Sequence, residues 1–356
     1  CVFNLSRNAQ ACDLDLARFR DRVPVELLGR TSFPPVAEPF YRLTLPGYGF
    51  YWFALSEPGS GHEAAPEALP EFITIVLHDS WQAIGASRGG RDLARQVLPD
   101  YLPKQRWYAA KDRQIEQVRF AGAAELPGLG ARFLLTELDV DLAGAETQRY
   151  LLPFAVAWGE QHLAPGGPLA PATLARVRRG PQLGALHDAT LVDEFPRALV
   201  RLMHHEGVLP AGEASLRAMA GRMRDTLVIG DDAAVRRLGA EQSNSSLVVD
   251  GRIMVKLYRR LQSGIHPELE IGRFLTDVAG YANAPPLLGA IERVDADGTV
   301  TALAAAFGFV GNQGDGWSWT LDHLDRVLEE LRHLPEASRP APGELHGLYL
   351  VVAGLL

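Results

Sequence analysis

Short segments that alternate apolar and polar residues open the chain. Cys1-Val2-Phe3-Asn4-Leu5, Cys12-Asp13-Leu14-Asp15-Leu16, Val23-Pro24-Val25-Glu26-Leu27-Leu28, Tyr41-Arg42-Leu43-Thr44-Leu45 and the aromatic run Tyr48-Gly49-Phe50-Tyr51-Trp52-Phe53 repeat every second residue and end at Gly or Pro. Period two with such breakers predicts an antiparallel β unit, the tail of a β-sandwich, over 1–56. The aromatic run is expected in its core. A unit of this size is small for an independent sandwich, so its first strands are expected upstream. Residues 57–71 are rich in Pro, Gly, Ala and Glu without a period, which reads as a linker. Beyond it, strands are predicted over 72–77, 117–120, 132–140 and 149–158. Asp79 is a candidate helix cap. Helices are predicted over 91–98, with Leu93 and Val97 one turn apart, and over 191–204. Residues 72–210 thus read as helices on an antiparallel sheet.

The texture changes after Thr226. Residues 227–229 and 233–238 read as strands, and 247–258 as a hairpin whose Asp250-Gly251 suits a two-residue type I′ turn. A helix is predicted from His266-Pro267, with Pro at its first position and Glu268 and Glu270 in the first turn. Its apolar stripe is Ile271, Phe274, Leu275 and Val278. Strands over 287–294 and 299–310 flank the turn Asp295-Ala296-Asp297-Gly298, and a helix over 319–331 follows. The fold class is therefore α+β. Residues 211–334 form one further unit, and 335–356 match no element.

Candidate chemistry sits in that unit. The polar loop Glu241-Gln242-Ser243-Asn244-Ser245-Ser246 precedes a strand bearing one lysine, Lys256. Hydroxyl and amide groups next to a strand lysine suit phosphate oxygens, and a helical carboxylate would hold the lysine in place. Alternation places Ile253, Val255 and Leu257 on one face and Lys256 on the other. Glu268 and Glu270 both lie at edges of the apolar stripe, so the pattern leaves the carboxylate open. A mid-strand lysine is usually a solvated residue; the loop before it and the acidic helix after it favour function here.

Composition sharpens this only in places. The net charge of −8 argues against nucleic acid or an anionic membrane as partner. The opening shows no signal peptide, and no apolar run is long enough for a span. Cys1 and Cys12 show no metal or redox spacing and read as reduced thiols in a cytoplasmic protein. Trp107, Trp317 and Trp319 suit sugar stacking, but such residues are more often packed. Lys104, Arg106 and Lys111 read as a surface cluster, and His204-His205 as a helix end.

Three stretches resemble maltokinase: Gly239 to Leu247 with Lys256-Leu257-Tyr258-Arg259-Arg260, Pro267 to Thr276, and Val310 to Thr320. Leu98-Pro99-Asp100-Tyr101-Leu102-Pro103-Lys104-Gln105-Arg106-Trp107-Tyr108 with Lys111 is similar to that family's N-terminal cap domain. Asn4 to Arg7, Val25 to Arg30 and Leu45 to Phe53 resemble the C-terminal β domain of trehalose synthase. The resemblance implies a fusion of the two enzymes. It comprises a partial trehalose synthase domain over 1–56, a cap over 72–210, and the N-lobe of an aminoglycoside-phosphotransferase-like kinase over 211–334.

The resemblance also implies ATP-dependent phosphorylation of maltose to maltose 1-phosphate, with Mg²⁺ bridging the phosphates. The site residues it implies are Gln242, Ser243, Asn244, Ser245, Ser246, Lys256 and Glu270, the last as the partner of Lys256. Such kinases also need a His-Gly-Asp loop and a metal-binding Asp in a C-lobe. His78-Asp79 and His187-Asp188 precede the lobe, and no His-Gly-Asp occurs in the chain. The 356-residue chain is therefore expected to bind nucleotide weakly and not to turn over maltose by itself. Robust formation of maltose 1-phosphate by the purified chain would overturn that expectation. The competing reading is a non-catalytic or nucleotide-binding module attached to trehalose synthase. A third, isomerase activity, finds no barrel and no catalytic carboxylates.

Overall fold

The computed structural model describes all residues except 27–32, 38–39, 57–71, 78–80, 164–168, 170–171, 239–242, 312–313, 333, 336–339 and 355–356. The expected linker, Asp79 and Gln242 fall outside the described residues. The opening segment holds β1 (Val2–Phe3), β2 (Gln10–Asp15), β3 (Val23–Glu26), β4 (Phe40–Leu45), β5 (Phe50–Tyr51) and β6 (Phe53–Ser56), paired antiparallel as β1 with β5, β2 with β4 and β3 with β6. The aromatic run divides by period two. Tyr51 and Phe53 pack around Phe33, at ring distances of 5.5 and 5.0 Å. Phe50 and Trp52 stay nearly half exposed, and Tyr48, at a positive φ, is 66% exposed. The expectation of a wholly buried run is thus corrected: among the described residues β5 pairs only with the two-residue β1, which cannot cover both faces.

Next come β7 (Thr74–Val76), α1 (Arg88–Asp92) and α2 (Leu98–Tyr101), the two helices joined by a wider turn over Leu93–Val97. That turn shifts the helix phase. Leu93 and Leu98, five residues apart, are buried, rather than the predicted Leu93 and Val97 pair. There follow β8 (Ile115–Pro127), β9 (Arg132–Leu142), β10 (Gln148–Trp158), β11 (Thr173–Arg179), β12 (Gln182–Asp188) and α3 (Glu194–His204). The remainder holds β13 (Val208–Ala211), β14 (Ala214–Ala220), β15 (Val235–Leu238), β16 (Asn244–Val249), β17 (Ile253–Tyr258), β18 (Arg260–Leu261), α4 (Pro267–Arg273), β19 (Leu287–Val294), β20 (Val300–Gly308), α5 (Gly316–Arg332) and α6 (Pro342–Ala353). Helices with antiparallel sheets give the expected α+β class. Two local expectations fail. Residues 227–229 are not a strand, because Arg224–Leu227 is a 3₁₀ turn that buries Leu227. The unassigned 335–356 contain α6.

The chain forms two compact units that do not follow its order. One comprises Cys1–Leu102, Gln117–Arg119 and Phe154–Asp188; the other comprises Pro103–Glu116, Phe120–Pro153 and Ala189–Leu356. In the first, β7 runs parallel to β11, β11 pairs antiparallel with β12, and β12 pairs with the Phe154–Trp158 end of β10. In the second, one antiparallel sheet has the order β13-β14-β19-β20-β17-β16-β15. Helix α3 packs close against it. A Cβ on Gly289 of β19 would meet Met203 of α3 at 3.2 Å and the Met219 carbonyl oxygen at 2.8 Å.

The predicted hairpin is β16–β17, in register from Val249 and Ile253 to Asn244 and Tyr258. Asp250 and Gly251 have φ of 55° and 63°, the two positive values a type I′ turn requires. Gly251→Ala is expected to cost about 1 kcal/mol, since a Cβ at positive φ crowds the carbonyl. Urea unfolding measures it.

Candidate phosphate-binding site

The register of β16 and β17 sets the site. Ser246 lies opposite Lys256, and Asn244 opposite Tyr258. Directly paired residues share a face, so Asn244, Ser246, Lys256 and Tyr258 line one side of the sheet. Ser245, Leu247, Val255 and Leu257 line the other, where Val255 and Leu257 are buried as expected. Helix α4 covers the lysine side through Leu269, which joins Tyr258, Leu287, Ala305 and Phe307 in one apolar cluster.

Lys256 Nζ donates to Glu268 Oε1 at 2.9 Å, and the Tyr258 hydroxyl donates to Glu268 Oε2 at 2.8 Å. Both carboxylate oxygens are thereby held. Glu268, and not Glu270, is the carboxylate at Lys256, which corrects the residue the resemblance implied; Glu270 is exposed. Helix phase explains it. Leu269 and Gly272 face the sheet, with Gly272 close to Leu287 and Phe307. At about 100° per residue, Glu268 lies nearer that direction than Glu270 does. The same phase turns the predicted apolar stripe outward: Ile271 and Phe274 are both 56% exposed and Val278 73%.

The expected loop is only partly loop. Asn244, Ser245 and Ser246 already belong to β16, while Ser243 is exposed before it. Ser246 Oγ is buried beside Lys256 with no hydrogen-bond partner among the described residues. Ser245 points away from Lys256, and its Oγ accepts from Arg259 Nε at 2.8 Å. His266, which precedes α4, packs on Tyr258 with the rings tilted and their centroids 4.2 Å apart, and burial lowers its imidazole below the ordinary histidine range.

Two residues of this site have no role in the sequence pattern. Tyr258 lies in the hairpin and in the stretch resembling maltokinase, and nothing in the pattern marks its hydroxyl as a partner of Glu268. Arg259 does carry a signal: strand alternation puts it on the core side with Leu257, where an unpaired charge is not tolerated.

The other candidates lie elsewhere. Trp107 is buried against Tyr150, with ring centroids 6.2 Å apart. Trp319 stacks on Tyr349, and Trp317 is exposed. Lys104, Arg106 and Lys111 are exposed, and His204 and His205 end α3. His187, at the end of β12, is buried, and burial lowers its imidazole. No group of three or more His, Cys, Asp or Glu side chains among the described residues is arranged to hold a metal. No helix among the described residues is long and apolar enough to cross a membrane.

Residues 101–191 match the maltokinase N-terminal cap domain, and residues 1–52 match the maltogenic amylase C-terminal domain. The two matches fall in the order expected of a trehalose synthase–maltokinase fusion. A trehalose synthase of Pimelobacter sp. (strain R48) is 57% identical over 58 residues, 16% of this chain and 10% of that protein. The trehalose synthase/amylase TreS of Mycolicibacterium smegmatis is 50% identical over 58 residues, again 16% and 10%. The trehalose synthase of Thermus thermophilus is 35% identical over 130 residues, 32% of this chain and 13% of that protein. The chain therefore spans about a tenth of the length of these relatives. A solved glucosamine kinase in complex with glucosamine, ADP and inorganic phosphate superposes with a TM-score of 0.40 at 16% identity, over 67% of this chain and 45% of that one. A likeness so loose carries no argument.

Proposed function

We propose that this chain is the cap and phosphate-binding part of a sugar phosphotransferase that uses ATP to phosphorylate maltose in the cytoplasm, fused to or associated with trehalose synthase. The observation that carries the reading is the Lys256–Glu268 pair on a sheet face shared with Asn244 and the unpartnered Ser246 hydroxyl. A lysine held in place by a carboxylate sets a fixed positive charge where phosphate oxygens would bind. Ser246 and Asn244 add donors on the same side, and Ser243 stands at the entry to the strand. Gln242 keeps its proposed place in the loop, outside the described residues. The presence of a maltokinase cap in the same chain supports the sugar-kinase class and maltose as substrate.

Mg²⁺ would arrive with the nucleotide and neutralise its phosphates when bound. The described residues offer no acidic cluster for it, so no side chain of this chain is assigned to it and no step is derived through it. Titration of the 356-residue chain with ATP tests the reading. Saturable binding that Lys256→Met weakens supports it, and no difference between the two chains overturns it.

A further inference from the structure

We infer that Arg259 is a positioning residue through which the cap fixes the phosphate-binding strand; the inference rests on the nucleotide reading of that strand. Arg259 is 1% exposed, yet its side chain carries a full charge. Burying a guanidinium is costly unless its donors are met. Its Nε donates to Ser245 Oγ at 2.8 Å, its Nη1 to the Leu151 carbonyl at 3.4 Å, and its Nη2 to Thr190 Oγ1 at 3.2 Å. The guanidinium also lies over the Trp107 ring, 4.6 Å from its centroid.

These partners fall into two sets. Ser245 belongs to β16, the strand that carries Asn244 and Ser246 on the phosphate side. Leu151, Thr190 and Trp107 all lie within the stretch that matches the maltokinase cap. Trp107 comes from the Gln105-Arg106-Trp107-Tyr108 motif, to which the nucleotide site itself gives no work. The main chain repeats the connection. The Leu151 N–H donates to the Arg259 carbonyl at 2.7 Å, and β18, directly after Arg259, pairs with β10 through Tyr150 and Arg260. Ser245 cannot face the phosphates together with Ser246, because neighbours on a strand point to opposite sides. Its hydroxyl is instead the handle by which the cap holds β16, and with it the placement of Asn244 and Ser246. The guanidinium is suited to this: a rigid fork spans three acceptors at once while its flat face rests on an indole, which an ammonium cannot do.

The test uses the 356-residue chain and two readouts, ATP affinity by calorimetry and amide hydrogen exchange over residues 243–249. In Arg259→Lys, exchange over 243–247 is expected to rise about tenfold and the ATP Kd about tenfold, as for loss of a hydrogen bond to a charged group. The amides of β19 and β20 should stay protected. Thr190→Val, which removes one half-buried acceptor, should give the same pattern at about threefold if Arg259→Lys fails to fold. Unchanged exchange at 243–247 in the folded variants overturns the inference, whatever ATP does. Faster exchange with an unaltered ATP Kd also overturns it, since the strand is then held for some other purpose. If the parent chain and Lys256→Met bind ATP equally, or neither binds, the nucleotide reading fails and the positioning role falls with it. The exchange data then still decide whether Arg259 holds the strand.

Discussion

Lys256→Met is expected to weaken ATP binding by about tenfold to a hundredfold, the range for removing charge-assisted hydrogen bonds to phosphate. The fold should survive the change. Lys256 occupies the half-buried face of β17 beside Met254, while the buried face is built from Ile253, Val255 and Leu257. Methionine matches the length of the lysine stem and fits a flexible apolar gap. The Tyr258 hydroxyl still meets one oxygen of Glu268. The two glutamates supply the sharper comparison. Glu268→Gln should weaken binding by about tenfold, because a neutral amide holds Lys256 less firmly. Glu270→Gln should leave affinity unchanged, since that side chain is in solvent. Calorimetric titration of all three variants checks this. An effect at Glu270 without one at Glu268 would contradict the assignment.

Arg293→Ala is expected to cost about 3–5 kcal/mol of stability, the range for stripping one partner from a buried ion pair. Glu137 of β9 is 3% exposed, and its Oε2 accepts from Arg293 Nη1 of β19 at 2.6 Å. Arg149 lies 3.8 Å from the same oxygen and is itself held by Asp139 at 2.7 Å, while Arg293 also meets Asp295 at 2.6 Å. Without Arg293 the carboxylate keeps, among the described residues, only the distant Arg149 as a cationic partner. Burial raises Glu137 above the usual glutamate range, against the opposing pull of Arg293 and Arg149. A carboxyl group whose folded value is raised binds its proton more tightly when folded. Its contribution to stability is therefore full below the ordinary value of 4.5 and is lost as pH rises through the raised value. Urea unfolding from pH 4 upward should show that decline in the parent chain, and Glu137→Gln should flatten it. A parent chain whose stability rises smoothly through this window, with Glu137→Gln tracking it, would refute the account.

Much of this was legible in the sequence because its cause is local. Asp250-Gly251 specified the hairpin, since few other dipeptides accept two positive φ values. Period two separated Lys256 from Val255 and Leu257 before any packing was known. Pro267, with no N–H to leave unsatisfied, marked the start of α4. Glycine and proline placed most strands near their observed bounds, although the segment at 227–229, equally apolar, became a turn.

Tertiary structure alone decided how the helices and strands are phased against one another. Ile271, Phe274 and Val278 form a good apolar stripe, yet Leu269 and Gly272 face the sheet, where the small Gly272 sits close to Leu287 and Phe307 and a Cβ on it would meet Leu287 at 3.3 Å. That rotation brings Glu268 rather than Glu270 to Lys256. The wide turn at Leu93–Val97 likewise replaced one buried partner by another. Arg259 belongs to the same class. Its chain position shows that it points inward, but its acceptors at Leu151 and Thr190 and the indole of Trp107 beneath it come from residues up to 152 positions before it. Partners so far apart leave no period to read, and only the folded chain sets them within reach of one guanidinium.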